Sequence, residues 1–407
     1  MTNTETAYEP RLRDTPFSLM QVGTIFRNVS EKVDPHLYEP LSVGQLGVTP
    51  QLEGVAQQQG DGEKKLVRPG QIAMNSRSDR RGASGLSEYE GVVSVVYTVL
   101  QPDLNYVYPR FAHYLFRSLD FQNEYYRWGT GIVDDLWSTK FERLAQIRIP
   151  LPDLETQHRI ADYLDREISE MDALLEEFEG LVGKLQSRKQ SLVINTFFDT
   201  DFSNPVFIDL STSRYPTIPL KHASPYRIGW TPASNNTSFY GDGYKWAKIS
   251  DLGKKYISET DTQITEMAVT ERGKPTPAKP GDLLFSFKLS VGTVSLVQEE
   301  MFTNEAIAAF SPTPKMDMNF AYYAYPVYLQ VNANTNIYGA PLLNSQIFSR
   351  ARVPNLPIEE QRRIAEKLDR EFERMDILIE ESTRLIENLK ARKTALITEV
   401  VTGRKEV

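Results

Sequence analysis

Pro150-Leu151-Pro152-Asp153-Leu154-Glu155-Thr156-Gln157-His158-Arg159-Ile160-Ala161 opens a 44-residue segment that occurs twice in the chain. The second copy, 204 positions later, opens Pro354-Asn355-Leu356-Pro357-Ile358-Glu359-Glu360-Gln361-Arg362-Arg363-Ile364-Ala365. Aligned without a gap, residues 150–193 and 354–397 are identical at 20 of 44 positions. A solenoid repeats every 20–50 residues or so, which is far shorter than this period. The chain is therefore predicted to consist of two similar halves, each a variable block followed by one copy of the segment.

Both copies have the apolar spacing of a long helix with a coiled-coil seam. The seam positions are Leu164, Met171, Phe178, Leu185 and Leu192 in the first copy, and Leu368, Met375, Leu389 and Leu396 in the second. Helices are expected to begin near Glu155 and Glu359, because acidic side chains favour the positive end of a helix. One such helix alone would expose a long apolar stripe, so the two copies are predicted to pair antiparallel. Two unrelated amphipathic helices on separate cores are the alternative.

Length and composition limit the class of protein. A chain of 407 residues is long enough for two or three domains. It has no cysteine, which excludes disulfides and cysteine-based metal sites. No apolar run approaches the ~20 residues of a membrane span. The first six residues, Met1 to Thr6, lack the basic and apolar regions of a signal peptide, so a cytoplasmic protein is expected.

The net charge of −8 is unevenly distributed. Lys and Arg number 16 against 18 Asp and Glu in residues 1–149, and 14 against 13 in residues 201–353, so the two blocks are nearly neutral. The corresponding counts are 5 against 11 in residues 150–200 and 11 against 12 in residues 354–407. The acidic balance therefore belongs to the repeats, and a DNA-binding face on the blocks remains compatible with the composition.

The two blocks share landmarks in the same order although their sequences differ. Arg68-Pro69-Gly70-Gln71-Ile72 matches Lys279-Pro280-Gly281-Asp282-Leu283, where each Pro-Gly turn leads into a strand pattern. Further strand patterns lie at residues 92–99 and 282–287, and helical patterns at 109–118 and 318–330. A glycine loop then precedes each repeat, Gly129-Thr130-Gly131 in one block and Tyr338-Gly339-Ala340 in the other. The predicted fold class is α+β, with two similar mixed α/β domains and a long antiparallel two-helix coiled coil related by an internal pseudo-two-fold repeat.

The order of these motifs resembles the specificity subunit of type I restriction-modification systems. The resemblance rests on a Pro-Gly turn and strand, a glycine loop, a Pro-rich strand and a helix containing Gln-x-Arg-Ile-Ala, all present twice. In addition, the run Met74 to Ser87, followed by Gly91-Val92-Val93-Ser94, is similar to one class of first target-recognition domains. The resemblance implies target-recognition domains at 1–149 and 201–353, and conserved helical regions at 150–200 and 354–407.

The resemblance also implies a function and partners. Such a subunit reads a bipartite double-stranded DNA target for DNA methylation and phage defence, and it performs no catalysis and holds no cofactor itself. Its partners are methyltransferase subunits, expected to be two, and motor–nuclease restriction subunits. S-adenosylmethionine, ATP and Mg²⁺ are expected only on those partners. Thr156 and His158 depart from the pattern common at the first helix opening, so the resemblance leaves the partner contact there open.

Candidate DNA-contacting residues come from loops, glycine-rich turns and basic–aromatic clusters. Arginines in the loop after the strand at 72–75 have the chemistry to bind phosphates or guanine edges, although Asp79 could instead pair with them in a solvated loop. Asn75 could pair with adenine or be a buried strand end, and Trp246 is predicted to be core. The full set is Asn75, Arg77, Arg80, Arg81, Trp128 and Thr130 in the first block, and Tyr244, Lys245, Lys248, Ser286, Lys288, Ser290, Tyr338 and Asn344 in the second.

Enzymatic functions have little support in the sequence. Its four histidines, His36, His113, His158 and His222, are widely spaced and show no metal-ligand pattern. No Walker A, G-x-G-x-x-G or H-E-x-x-H string occurs, and Asn204-Pro205-Val206-Phe207 lacks the second proline of an amino-methyltransferase motif. The sequence therefore favours a non-catalytic DNA specificity subunit. The alternatives are a coiled-coil scaffold with two blocks that bind protein or carbohydrate ligands, and an autonomous nuclease.

Overall fold

A computed structural model describes residues 11–44, 47–51, 62–76, 83–131, 137–199, 209–288, 290–331, 334–335, 341–343, 348 and 350–407. The chain divides into two compact units. One contains Met1–Gly180 and Ser382–Val407, and the other contains Leu181–Glu381. Each unit therefore includes one variable block together with a part of both repeats. Among the described helices, none has the length and apolar character that a membrane crossing requires.

The described part of the first unit contains four small antiparallel sheets and short helices. Its strands are β1 (Leu19–Gln21), β2 (Phe26–Val29), β3 (Lys32–Val33), β4 (Leu41–Gly44), β5 (Gly47–Pro50), β6 (Lys64–Val67), β7 (Ile72–Asn75), β8 (Ser84–Leu86), β9 (Gly91–Val93), β10 (Tyr97–Pro102) and β11 (Arg148–Pro150). Its short helices are α1 (Val22–Ile25), α2 (Pro109–Arg117), α3 (Leu119–Arg127) and α4 (Phe141–Leu144). The long helix α5 (Leu154–Phe197) begins in this unit.

The second unit has a larger set of strands. They are β12 (Thr217–Pro219), β13 (Tyr226–Ile228), β14 (Tyr240–Ala247), β15 (Tyr256–Ile257), β16 (Gln263–Ile264), β17 (Leu283–Ser286), β18 (Val294–Val297), β19 (Phe302–Thr303), β20 (Ile307–Phe310), β21 (Asn334–Thr335), β22 (Pro341–Leu342) and β23 (Arg352–Pro354). Its helices are α6 (Leu220–Ala223), α7 (Glu266–Glu271), α8 (Met318–Val331) and the start of α9 (Ile358–Val401).

The two units repeat one sheet topology. The main sheet has the order β2-β10-β7-β8 in the first unit and β13-β20-β17-β18-β15 in the second. In both, a short strand pairs antiparallel with the strand that leads into a long helix, β1 with β11 and β12 with β23. The Pro-Gly turns before β7 and β17 match as well, since Gly70 and Gly281 have φ of 85° and 89°, a region that glycine adopts without steric cost. These matches confirm the predicted fold class of two similar mixed α/β domains.

The long helices pair antiparallel within each unit. In the first unit, Nζ of Lys390 lies 2.9 Å from Oε1 of Glu179, and Nζ of Lys393 lies 2.5 Å from Oδ1 of Asp172. As numbers rise along α9 they therefore fall along α5. In the second unit, Nζ of Lys189 lies 2.6 Å from Oδ1 of Asp376. This pair is the counterpart of Lys393–Asp172 in the repeat, so the pairing itself follows the internal symmetry.

Each unit has a core that joins its sheet, its short helices and its part of the helix pair. In the first unit, Leu164 and Met171 of α5 pack with Leu396 of α9 and with aromatic residues of the block. In the second unit, Leu368 packs with the phenylalanine and tyrosine cluster of α8, and Leu192 is partly buried against it. Of the other seam positions, Leu185 and Met375 are buried, and Phe178 and Leu389 are half-buried. Ser382 is the polar counterpart of Phe178 in the second copy of the repeat, and it is also buried.

Local predictions had mixed outcomes. The helices at 109–118 and 318–330 are confirmed by α2 with α3 and by α8, and the long helices begin at Leu154 and Ile358, next to the predicted starts. The single strand expected over residues 92–99 is wrong. It is divided between β9 and β10 by a turn in which the Tyr97 amide donates to the Ser94 carbonyl at 3.0 Å. Val95 is consequently 45% exposed, which the apolar run alone does not reveal.

Candidate nucleic-acid interface

A buried glutamine at the start of α5 attaches the first block to its helix. The Gln157 side chain is fully buried. Its Nε2 donates to the carbonyls of Tyr106 and Pro152, each at 2.8 Å, and its Oε1 accepts from the Tyr108 amide at 2.8 Å. Because Tyr108 immediately precedes α2, this one side chain joins the start of α2 to the start of α5.

Two turns further along α5, a carboxylate makes a second attachment. Asp165 accepts from Nε of Arg110 at 2.8 Å and from the Tyr114 hydroxyl at 2.5 Å, and both donors lie on α2. Burial, together with the hydrogen bond to Asp165, raises the pKa of Tyr114 above its usual value, so this hydroxyl remains a donor. The block is therefore held on α5 by neutral and charged hydrogen bonds at two levels.

The second block is attached to α9 in the same way. Gln361, also fully buried, donates to the carbonyls of Lys315 at 2.8 Å and Leu356 at 2.9 Å and accepts from the Asp317 amide at 2.9 Å. Asp369 accepts from the Tyr323 hydroxyl at 2.5 Å and forms an ion pair with Lys255. Burial, followed by the bond to Asp369, raises the pKa of Tyr323. The counterparts of Gln157 and Asp165 thus act on a block of different sequence.

In the first block, two of the predicted DNA-contacting segments meet. Asn75 ends β7 and is buried, with 6% of its surface exposed. The next residue, Ser76, accepts a hydrogen bond on its carbonyl from the Thr139 amide at 2.9 Å. The glycine loop closes beside it, because Thr130 and Ser138 exchange backbone hydrogen bonds of 2.9 and 3.0 Å. The end of β7 and the loop at 128–131 are therefore neighbours on one edge of the block.

The three arginines predicted to contact DNA, Arg77, Arg80 and Arg81, lie outside the described residues, as do Tyr338 and Asn344 of the second block. Their contacts with DNA stay predictions. The described residues on either side of this segment are Ser76 and Ala83. The Asn75 amide donates to the Ala83 carbonyl at 2.8 Å, next to the antiparallel pairing of β7 with β8.

Trp128 and Thr130 lie at the end of α3, and they differ in exposure. Thr130 is exposed, whereas Trp128 is half-buried and donates from Nε1 to Oε1 of Glu124 at 2.9 Å. Gly129 between them is required, because a Cβ there would lie 2.2 Å from Nε1 of Trp137. The Trp128 indole N–H is therefore already engaged, and the loop conformation depends on glycine at position 129.

The corresponding strand end in the second block corrects one prediction. Ser286 is fully buried and its hydroxyl donates to the Lys288 carbonyl at 3.0 Å. It therefore shapes the loop after β17 and presents no surface to DNA in this conformation. Lys288 and Ser290 are exposed on that loop. Gly292, with φ of 93°, completes the loop against the Gln330 side chain of α8.

The members of the aromatic–basic cluster on and next to β14 differ in exposure and in their partners. Tyr244 is 43% exposed beside Phe302, and Trp246 is core, as predicted. Nζ of Lys245 is engaged within its own block, 2.6 Å from Glu299 and 2.9 Å from Glu259, and these hydrogen bonds raise the pKa of Lys245. A DNA phosphate at Lys245 would have to displace two carboxylates. Lys248 is half-buried, and its backbone amide donates to Asp251 at 2.7 Å.

The residues that hold the blocks on the helices are not among those predicted from the sequence. Gln157, Asp165 and their counterparts Gln361 and Asp369 are polar, and within the helical pattern they looked like solvated positions. A usable signal was present, since these two pairs are identical in both copies although they lie off the apolar seam. Identity at polar positions in an internal repeat indicates a shared contact.

Comparison with known proteins places this architecture in a family. The sequence model of the type I restriction modification DNA specificity domain matches residues 44–177 and again residues 225–388. The two matches together span more than half of the chain, and each covers most of one block and more than half of the long helix that follows it. The chain belongs to the family of type I restriction-modification DNA specificity domains.

Individual relatives are distant but extensive. The chain is 23% identical over 318 residues to a putative type I restriction enzyme MjaX specificity subunit of Methanocaldococcus jannaschii, covering 76% of this chain and 71% of that protein. It is 22% identical over 381 residues to the type I restriction enzyme HindI specificity subunit of Haemophilus influenzae, with 74% and 80% covered. The relatives thus match both halves of the chain.

Solved structures share the fold. A chain from a type I R-M system, solved in a study of its complex assembly and conformational transition, aligns with a TM-score of 0.72, 17% identity and coverage of 95% of this chain and 98% of that one. The HsdS subunit from Thermoanaerobacter tengcongensis aligns with a TM-score of 0.53, 18% identity and coverage of 99% and 100%. At these identities the likeness concerns the fold.

Proposed function

We propose that this protein is the DNA-recognition subunit of a type I restriction-modification complex, in which each mixed α/β block reads one half of a bipartite target. The observation that carries the proposal is the duplicated attachment. The same glutamine and aspartate of the repeat hold two blocks of one topology and different sequence. A protein built this way presents two different surfaces on equivalent supports, as reading two unlike half-sites requires.

Catalysis and its cofactors are assigned to partner subunits. Methyl transfer from S-adenosylmethionine and ATP- and Mg²⁺-dependent cleavage would reside in methyltransferase and motor–nuclease subunits, because the sequence contains none of the motifs that bind these groups. The specificity subunit would then contribute target choice alone. Adenine methylation is expected only after a methyltransferase subunit is added to the purified chain.

The number of methyltransferase subunits is proposed from exposed residues that are identical in both copies of the repeat although the packing of the protein itself does not require them. Arg159, Arg166 and Leu174 are exposed on α5, and the leucine is 43% exposed. Their identical counterparts Arg363, Arg370 and Leu378 are exposed on α9, with the leucine 47% exposed. We call each set of three the repeated stripe. At 3.6 residues per turn its members fall within an arc of about 80°.

The repeated stripe supports two copies of one partner. The packing of the helices does not require leucine at an exposed position, and neither the seam nor the attachment residues include these positions. Their identity is explained if both stripes bind the same surface of a partner, once in each unit. Exposed leucine flanked by arginine suits an amphipathic partner helix with acidic edges.

Assembly of the complex tests the partner number. Leu174→Glu should remove one methyltransferase subunit and Leu174→Glu with Leu378→Glu should remove both, as measured by the mass of the complex in solution. Ser169→Glu, also at an exposed position on the same helix, should leave the complex intact. Full assembly by the double variant would contradict the proposed surface.

Mapping of methylated adenines tests the function itself. Cells that carry the chain with its methyltransferase subunit should show modification at one bipartite sequence with a fixed spacer. Replacing one block by that of a relative should change one half of the sequence only. Modification without sequence preference, or turnover by the purified chain alone, would contradict the proposal.

A further inference from the structure

A cavity of about 480 Å³ lies at the end of α3 in the first unit. Its polar and aromatic walls come from Arg13, Gln21, Arg127, Trp128, Gln146 and Arg148. The volume is within the range of pockets that enclose a ligand the size of a nucleotide. The three arginines converge on one concave surface of a chain whose net charge is −8.

The charge in this cavity is only partly balanced. Among the described residues that line it, Glu124 is the one acidic residue, and its Oε1 already accepts from Arg127 and from Nε1 of Trp128, both at 2.9 Å. Arg13 and Arg148 are exposed and make no side-chain hydrogen bond or ion pair with other described residues. Two guanidinium groups therefore have donors available for a ligand in the cavity.

The second unit provides an internal comparison. Arg352 is the counterpart of Arg148 in the repeat, and it pairs with β12 where Arg148 pairs with β1. Arg352 donates from Nε to Oγ1 of Thr217 at 2.9 Å and from Nη2 to the Thr217 carbonyl at 2.5 Å. Arg352 thus donates to the neighbouring strand β12, whereas the Arg148 side chain has no such partner among the described residues.

We propose that this cavity binds a phosphate of the DNA backbone next to the half-site that the first block reads. Guanidinium groups bind phosphate through paired N–H donors, and the half-buried Trp128 ring supplies a face for the adjoining sugar or base. Trp128 also connects the cavity to the Gly129-Thr130-Gly131 loop, which lies beside the end of β7. The inference rests on the proposed function, because it assigns the cavity to the same DNA.

The test measures how DNA affinity of the full chain, assembled with its methyltransferase subunits, depends on salt. Arg13→Ala with Arg148→Ala should weaken binding to target and non-target duplexes by the same factor. It should also lower the slope of log affinity against log salt by about 1 for the lost phosphate contact. Arg143→Ala, an exposed arginine nearby that does not line the cavity, is the matched control and should leave the slope unchanged.

Three outcomes would overturn the assignment. One is an unchanged slope and affinity in the double variant. Another is a loss confined to one half-site sequence, which would indicate base recognition in place of phosphate binding. The third is thermal stabilisation of the wild type by a free nucleoside monophosphate, absent in the double variant, with an unchanged DNA slope, which would make the cavity a free-nucleotide site. If the wild type showed no preference for any sequence, the proposed function would fail, while the slope comparison would still report on the cavity.

Discussion

Gln361 makes in the second half the three backbone hydrogen bonds that Gln157 makes in the first, and both side chains are fully buried. Each glutamine binds a carbonyl just before its own helix and both a carbonyl and an amide just before the helix of its block. A glutamine side chain is suited to this position, because its NH2 group donates two hydrogen bonds and its carbonyl oxygen accepts one. The relationship shows that the repeat conserves an attachment as well as a seam.

Removal of this glutamine should be costly. Gln157→Leu removes the side-chain partner of one amide and two carbonyls, at roughly 1–3 kcal/mol for each group that stays buried. Because Tyr106, which supplies one of the carbonyls, is 52% exposed, the free energy of unfolding should fall by about 3 kcal/mol, the low end of that range. Urea denaturation of the purified chain measures this change. Gln186→Leu, at an exposed position of the same helix, should alter the stability by less than about 0.5 kcal/mol. Equal effects of the two substitutions would argue against the attachment.

Two residues three positions apart on α5 should separate stability from assembly. Met171 is 5% exposed in the core of the first unit, whereas Leu174 is 43% exposed. Met171→Ala should destabilise the chain by about 2–4 kcal/mol because it leaves a cavity. Leu174→Ala should leave the unfolding transition nearly unchanged and weaken binding of the methyltransferase subunit. A large loss of stability from Leu174→Ala would mean that this leucine belongs to the core.

The two blocks should be separable in recognition. Changing Arg77, Arg80 and Arg81 together to alanine is expected to weaken one half-site, at roughly 1–3 kcal/mol for each lost bidentate base contact. Lys288→Ala, on the exposed loop after β17, should affect the other half-site. Binding to a panel of targets mutated in either half measures both effects. Equal losses at both halves from either variant would be inconsistent with two independent readers.

His113 should make the first unit sensitive to acid. Its ring is buried, Nδ1 accepts from the Leu86 amide at 3.2 Å, and Nη1 of Arg117 lies 2.8 Å from Nε2. Burial, reinforced by the charge of Arg117, lowers the pKa of His113 to about 3 from 6.5. Between these two pKa values the unfolded chain binds a proton that the folded chain does not. The contribution of His113 to the free energy of unfolding is therefore fully present above about pH 6.5 and is lost as the pH decreases towards 3.

The corresponding experiment compares urea midpoints at pH 7.5 and pH 5. The wild type should lose stability at the lower pH, and His113→Gln should lose less, because glutamine does not titrate. His36→Gln, at an exposed position, should retain the wild-type decline. An equal decline in His113→Gln and wild type would show that other groups cause it.

The sequence by itself determined the parts of this protein that depend on short-range periodicity and on repetition. Seven-residue spacing of Leu164, Met171 and Leu185 predicts a helix and its buried side, because an α-helix returns to the same face every two turns. The Pro-Gly turns at Gly70 and Gly281 and the helices after them follow from local backbone preferences. Comparison of the two copies then revealed two halves of one fold.

Only the tertiary structure decided which polar side chains have partners within the protein and which are exposed to a ligand. Lys245 and Lys288 are both lysines near strand patterns, yet two carboxylates distant in sequence neutralise the first and the second is exposed. Ser286 looks like a loop residue and is buried, while Arg148 and Arg352 occupy the same place in the repeat and differ in their partners. The physical reason is that hydrogen bonds and ion pairs depend on contacts between residues far apart in the chain, which no local pattern encodes.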